Sequence, residues 1–79
     1  PLALTRAQFL VLECLMQRPG SVINKEFLLN RVYGFDHDGT QNSLEAHISR
    51  LRKVLAENGD ELELAAMRGV GYILREKRR

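Results

Sequence analysis

The sequence predicts a small, mainly α domain: three helices followed by a C-terminal β-hairpin. Three observations carry that reading. In residues 41–55, Leu44, Ile48, Leu51 and Leu55 fall at i, i+4, i+7 and i+11, a single narrow apolar stripe at about 100° per residue. Beyond Asn58-Gly59 the apolar period drops from about four to two: Leu62, Leu64 and Ala66 alternate with Glu61, Glu63 and Ala65, as in a half-buried strand. Arg68-Gly69-Val70-Gly71 then separates that strand from Tyr72-Ile73-Leu74, and its glycines permit the positive φ that a tight reversal needs.

Each element carries its own punctuation. Leu2 and Leu4 alternate like the end of a strand that begins upstream. Thr5 is an N-cap, and Gln8 three residues on completes a capping box. The first helix, over 7–17, is apolar on a wide arc: Ala7, Leu10, Val11, Cys14 and Leu15 on one face, with Phe9, Leu12 and Met16 beside it. A helix this apolar belongs at the centre of a core. Pro19-Gly20 stops it. Ser21-Val22-Ile23 reads as a brief extended connector. Asn24 caps a short second helix over 25–33, with Phe27, Leu28, Val32 and Tyr33 turned inward and Gly34 at its end. Residues 34–39 form a loop by composition. Thr40 is the N-cap candidate for the third helix, and Asn58-Gly59 its C-cap. The basic end, Arg75 to Arg79, is expected to fray.

Composition sets the outer bounds. At 79 residues, 44% hydrophobic and 28% charged, the chain makes one ordinary globular domain with a modest core. No apolar run approaches the roughly 20 residues of a membrane span. Pro1, with no initiator Met, reads as the start of a fragment. The lone Cys14 makes neither an intramolecular disulfide nor a zinc site and fits a buried, inert thiol. His37 and His47 are unsupported as metal ligands. There is no phosphate-binding glycine loop and no Ser/His/Asp set with workable spacing, so neither an enzyme nor a cofactor is expected. The net charge of +2 is mild, but it is segregated. Arg50, Arg52 and Lys53 cluster, Arg68 stands among small residues and the tail is basic, whereas Glu57, Asp60, Glu61 and Glu63 collect elsewhere.

Two helices joined by a turn, the second polar and basic on its outer face, form a helix-turn-helix; a hairpin behind them tipped by arginine can act as a wing. Asn42, Ala46, Ser49, Arg50 and Lys53 lie opposite the apolar stripe, with Arg52 to one side. Arg50 and Lys53 suit a base edge or a phosphate, and Arg52 suits a phosphate more than a base. Ser49 and Asn42 fit base contact or plain surface polarity. His47 beside the stripe fits a phosphate donor or a half-buried structural histidine. Arg68 fits phosphate contact or minor-groove insertion. Tyr72 packs its ring on the core and can offer its hydroxyl to a DNA backbone.

From Leu4 to Leu74 the chain resembles the C-terminal winged helix-turn-helix (effector) domain of OmpR/PhoB-type response regulators. The resemblance is carried by Leu4-Thr5 with Phe9 and Leu12; Pro19-Gly20 with Val22; Leu28-Leu29; Tyr33-Gly34; His47-Ile48 with Leu51-Arg52-Lys53; and Arg68-Gly69-Val70-Gly71-Tyr72. It implies sequence-specific binding of double-stranded promoter DNA, as the output domain of a bacterial, cytoplasmic two-component transcriptional regulator. A second protomer is expected head-to-tail on direct repeats. A phosphorylatable receiver domain, addressed by a sensor kinase, and a small N-terminal sheet normally precede the domain; neither is in this chain, and loss of the sheet is expected to expose apolar surface that favours an artificial dimer or strand exchange. By position, Asn42, His47, Ser49, Arg50, Arg52 and Lys53 match groove-helix contacts, and Ala66, Arg68 and Tyr72 match wing contacts. The loop holding Phe35, Asp36, His37 and Asp38 matches the family's usual contact with RNA polymerase. Four departures qualify the match: Asn42 stands where Arg is frequent, Ala66 for Thr, Tyr33 for Trp, and Ile73 where a basic residue is common. A winged-helix protein-interaction module is the alternative reading.

Overall fold

The computed structural model describes residues 4–34, 41–59 and 61–77, and of Gln41 and Asn42 the backbone alone. In chain order it contains α1 (Arg6–Gln17), β1 (Val22–Asn24), α2 (Lys25–Tyr33), α3 (Gln41–Glu57), β2 (Leu62–Met67) and β3 (Gly71–Glu76). The three strands form one antiparallel sheet in the order β1-β3-β2. The expected Thr40 cap, the 35–40 part of the loop and the last two arginines lie outside the described residues, as do Pro1 to Ala3.

Local chemistry starts α1 and α2 as expected. The Thr5 hydroxyl accepts from the Gln8 amide at 3.2 Å, and the Gln8 side chain accepts from the Thr5 amide at 3.1 Å, closing the capping box. Asn24 accepts from the amides of Glu26 and Phe27 and so caps α2. The Gly34 amide closes that helix on the Asn30 carbonyl. At the end of α3 the Asn58 side chain donates to the Val54 carbonyl at 2.9 Å.

Among the described residues, Val11 and Leu15 of α1, Leu28 of α2, Leu44, Ile48 and Leu51 of α3 and Leu74 of β3 are the largest fully buried side chains. Each contributes about 1.5–3 kcal/mol by leaving water. Ile23, Leu64, Tyr72 and Leu74 seal this core from the sheet side. Paired residues share a sheet face, so Val22, Ile73 and Ala65 lie on the other side.

Four expectations need correction. Val22 and Ile23 are a sheet strand, because Ile23 pairs with Tyr72 and Asn24 with Gly71; three residues were too short to show a period. The basic end is not frayed through Lys77: β3 runs to Glu76, Arg75 bonds Glu63 at 2.7 Å across the pair, and the Lys77 amide reaches the Glu61 carbonyl. Phe27 is turned outward at 55% exposure, and Phe9 and Met16 stand 54% and 56% exposed rather than flanking the core. Conversely Val54 is buried, which widens the α3 stripe toward His47.

Candidate nucleic-acid interface

The site is built from α3 outward. Leu44, Ile48, Leu51 and Val54 anchor one side of the helix, so the opposite side is held in solvent. There Ala46, Ser49, Arg50 and Lys53 are exposed. Among the described residues no hydrogen bond or ion pair engages Arg50, Lys53 or Arg68. Cations left unpaired on a packed scaffold keep their full capacity to meet phosphate or base acceptors. Asn42 lies in the first turn of α3, its side chain outside the described residues.

Arg68 sits at the tip of the β2–β3 hairpin. The Val70 amide bonds the Met67 carbonyl at 2.9 Å, and Gly69 at the third position of that turn has φ +76°. This is the geometry of a type II turn, which wants Gly at that place. It leaves the Arg68 side chain exposed. The Lys25 amide bonds the Val70 carbonyl at 3.0 Å, so the start of α2 holds the turn of the wing.

Three other predicted residues are engaged by the protein itself. The His47 ring stacks on Tyr33, with centroids 6.5 Å apart and 28° between planes, and it is half-buried. Tyr72 is 8% exposed. Its phenol is pushed above the ordinary value by burial, further by the Glu45 carboxylate, with Arg52 acting the other way. Arg52 turns its Nε to the Leu64 carbonyl at 2.8 Å. Sequence placed Arg52 on the shoulder of the apolar stripe but gave no sign of its acceptor, because a backbone carbonyl on a distant strand leaves no pattern. Glu45, one helical shoulder with Arg52 at i and i+7, was missed for the same reason. Ala66 is exposed and pairs with Tyr72. Phe35, Asp36, His37 and Asp38 lie outside the described residues.

The family model for the C-terminal part of transcriptional regulatory proteins matches residues 1–74. The chain belongs to that family, the OmpR/PhoB type of response-regulator effector domain. It is 38% identical over 76 residues to the response regulator MprA of Mycolicibacterium vanbaalenii (strain DSM 7251 / PYR-1), which covers 96% of this chain and 33% of that protein. The chain thus spans about a third of the length of the curated relatives it matches. Among solved structures it is similar to the DNA-binding domain of the response regulator AdeR, crystallised in complex with an intercistronic region, at 31% identity and TM-score 0.80 over 95% of this chain and 74% of that one. The DNA-binding domain of CpxR from E. coli gives the same identity and TM-score over 98% of this chain and 76% of that one. Three helices and a small antiparallel sheet are the shared winged-helix architecture. Among the described residues no helix is long and apolar enough to cross a membrane.

Proposed function

We propose that this chain is the DNA-binding output domain of a two-component response regulator and binds double-stranded promoter DNA in the cytoplasm. In this reading α3 enters the major groove and the β2–β3 hairpin lies on the adjacent backbone or minor groove. The observation that carries it is the outer face of α3: Arg50 and Lys53 are exposed and, among the described residues, unpaired opposite Leu44, Ile48 and Leu51. Arg50, with Asn42 and Ser49, reads base edges; Lys53 and Arg68 grip phosphate. Head-to-tail pairing on direct repeats gives the site enough length, since one short helix addresses few base pairs. RNA polymerase meets the loop around Phe35, Asp36, His37 and Asp38, and the receiver and sensor kinase act through the parts of the regulator that relatives have beyond this span.

Selection of bound sequences from a random duplex pool, followed by titration at two salt concentrations, tests the proposal. The expected result is an enriched half-site repeated in direct orientation, with affinity falling linearly on a log–log salt plot. No binding at low salt overturns it. That outcome would favour the protein-interaction reading, to which the exposed Phe9, Met16 and Phe27 lend support.

A further inference from the structure

We propose that Arg52 is a positioning residue: its guanidinium fixes the hairpin against α3 and so sets where Arg68 stands relative to the outer face of the helix. The proposal rests on the DNA-binding reading above, and differs from the phosphate contact that Arg52's place in the family implies.

The geometry is specific. The strand order puts β2 at the edge of the sheet, where one row of backbone groups has no strand partner. Arg52 supplies a donor to a carbonyl of that strand, Leu64, at 2.8 Å. Leu64 itself is buried against the core and pairs with Leu74. From Leu64 the strand runs directly through Ala65, Ala66 and Met67 to Arg68 at the tip. A shift at Leu64 is therefore carried to Arg68 along a few extended residues. Tyr72, on the neighbouring strand and opposite Ala66, senses both Arg52 and Glu45 electrostatically, so the second strand of the wing also lies against this shoulder of α3. The wing is thereby joined to α3 by a directional bond as well as by apolar packing, in addition to its backbone ties to β1 and the start of α2. Arg suits the task because Nε can point inward while the rest of the fork stays in solvent.

Side-chain length supplies the test. The amide nitrogen of Gln stands as many bonds from Cα as the Nε of Arg, so Arg52→Gln keeps the donor and loses the charge. Arg52→Lys keeps the charge and loses a donor at that place, and Arg52→Met loses both. Each is combined with Arg68→Ala in a double-mutant cycle read by DNA affinity. Positioning predicts that Arg52→Gln keeps the full effect of Arg68→Ala. It predicts that Arg52→Lys and Arg52→Met weaken binding about three- to tenfold and shrink the factor lost with Arg68→Ala. The same factor in all four backgrounds overturns the proposal. So does loss of affinity and of about one unit of salt slope in Arg52→Gln with both retained in Arg52→Lys, the pattern of a phosphate contact. Amide hydrogen exchange of β2 in the free chain separates this from failure of DNA binding itself. Faster exchange in Arg52→Lys and Arg52→Met, but not in Arg52→Gln, supports the clamp even if wild type binds no DNA; equal exchange in all of them overturns it.

Discussion

Gly71 lies so close to Ile23 that a Cβ built on it would overlap the Ile23 carbonyl oxygen. This contact joins the tip end of the wing to β1, the strand leading directly into α2, and the neighbouring Lys25–Val70 hydrogen bond repeats the tie. The helix-turn-helix and the wing are therefore one unit, held by backbone against backbone. The two glycines of the Arg68-Gly69-Val70-Gly71 turn do different jobs. Gly69 has open space where a Cβ would go and only its φ of +76° to defend. Gly69→Ala should cost about 1–2 kcal/mol from the left-handed conformation. Gly71→Ala should cost more, about 3 kcal/mol or above, since strand must part from strand. Urea unfolding of both variants checks the ranking; equal losses would refute the close-approach argument.

The exposed cations separate by role. Arg68→Ala should weaken binding to all DNA sequences alike and lower the salt slope by about one unit per lost phosphate contact. Arg50→Ala should instead alter preference at one base pair, by roughly 1–3 kcal/mol. Binding isotherms on a selected site, its single-base variants and unrelated duplex, at several salt concentrations, distinguish the two patterns.

The Tyr33 hydroxyl is buried with no hydrogen-bond partner among the described residues. An unmatched buried hydroxyl costs about 1–3 kcal/mol, so removing it should not destabilise. Tyr33→Phe keeps the ring that stacks on His47. Its unfolding midpoint should equal or exceed that of wild type; a loss above about 1 kcal/mol would mean that the hydroxyl has an unseen partner.

Tyr72 makes stability pH-dependent in the alkaline range. Burial, with Glu45 adding and Arg52 opposing, raises its phenol above the ordinary 10.0. The folded state holds that proton more tightly than the unfolded chain does. The resulting stabilisation is complete below the unfolded value of about 10 and disappears as pH rises through the folded one. Wild type should therefore lose stability relative to Tyr72→Phe as pH rises above about 10, when both are unfolded in urea at a series of alkaline pH values. Parallel curves would show that the phenol is not held this way.

Cys14 should be chemically silent in the native state. It is buried in α1, and burial raises its thiol above 9.0; Arg31 acts in the lowering direction and Glu13 in the raising one. The thiolate is the reactive form, so little is present at neutral pH. Labelling by a thiol reagent should follow the rate of opening rather than reagent concentration, and become fast in denaturant. Rapid native labelling would contradict the burial.

Helix positions were legible in the sequence because their determinants are local. Thr5 with Gln8, Asn24 and Gly34 act within a few residues, and the stripe Leu44, Ile48, Leu51 and Leu55 shows its own period. The hairpin was legible through its alternation and its glycines. What escaped was set by neighbours remote in the chain. Val22 and Ile23 became a strand only because β3 passes beside them. Phe27 and Met16 look like core residues by type, yet the space inside is already filled by Leu28, Leu15 and Leu74.

The candidate site divides in the same way. By itself the sequence determined a basic, non-acidic outer face on α3, with Arg50 and Lys53 opposite the apolar stripe, and an arginine at a glycine-tipped turn, since helical and strand periods fix which side chains share a side. Only the tertiary structure decided that Arg52 turns to Leu64, that Tyr72 is buried beside it and that His47 stacks on Tyr33. Those choices depend on a carbonyl or a ring brought from another element, and such groups acquire a position only when the chain has packed.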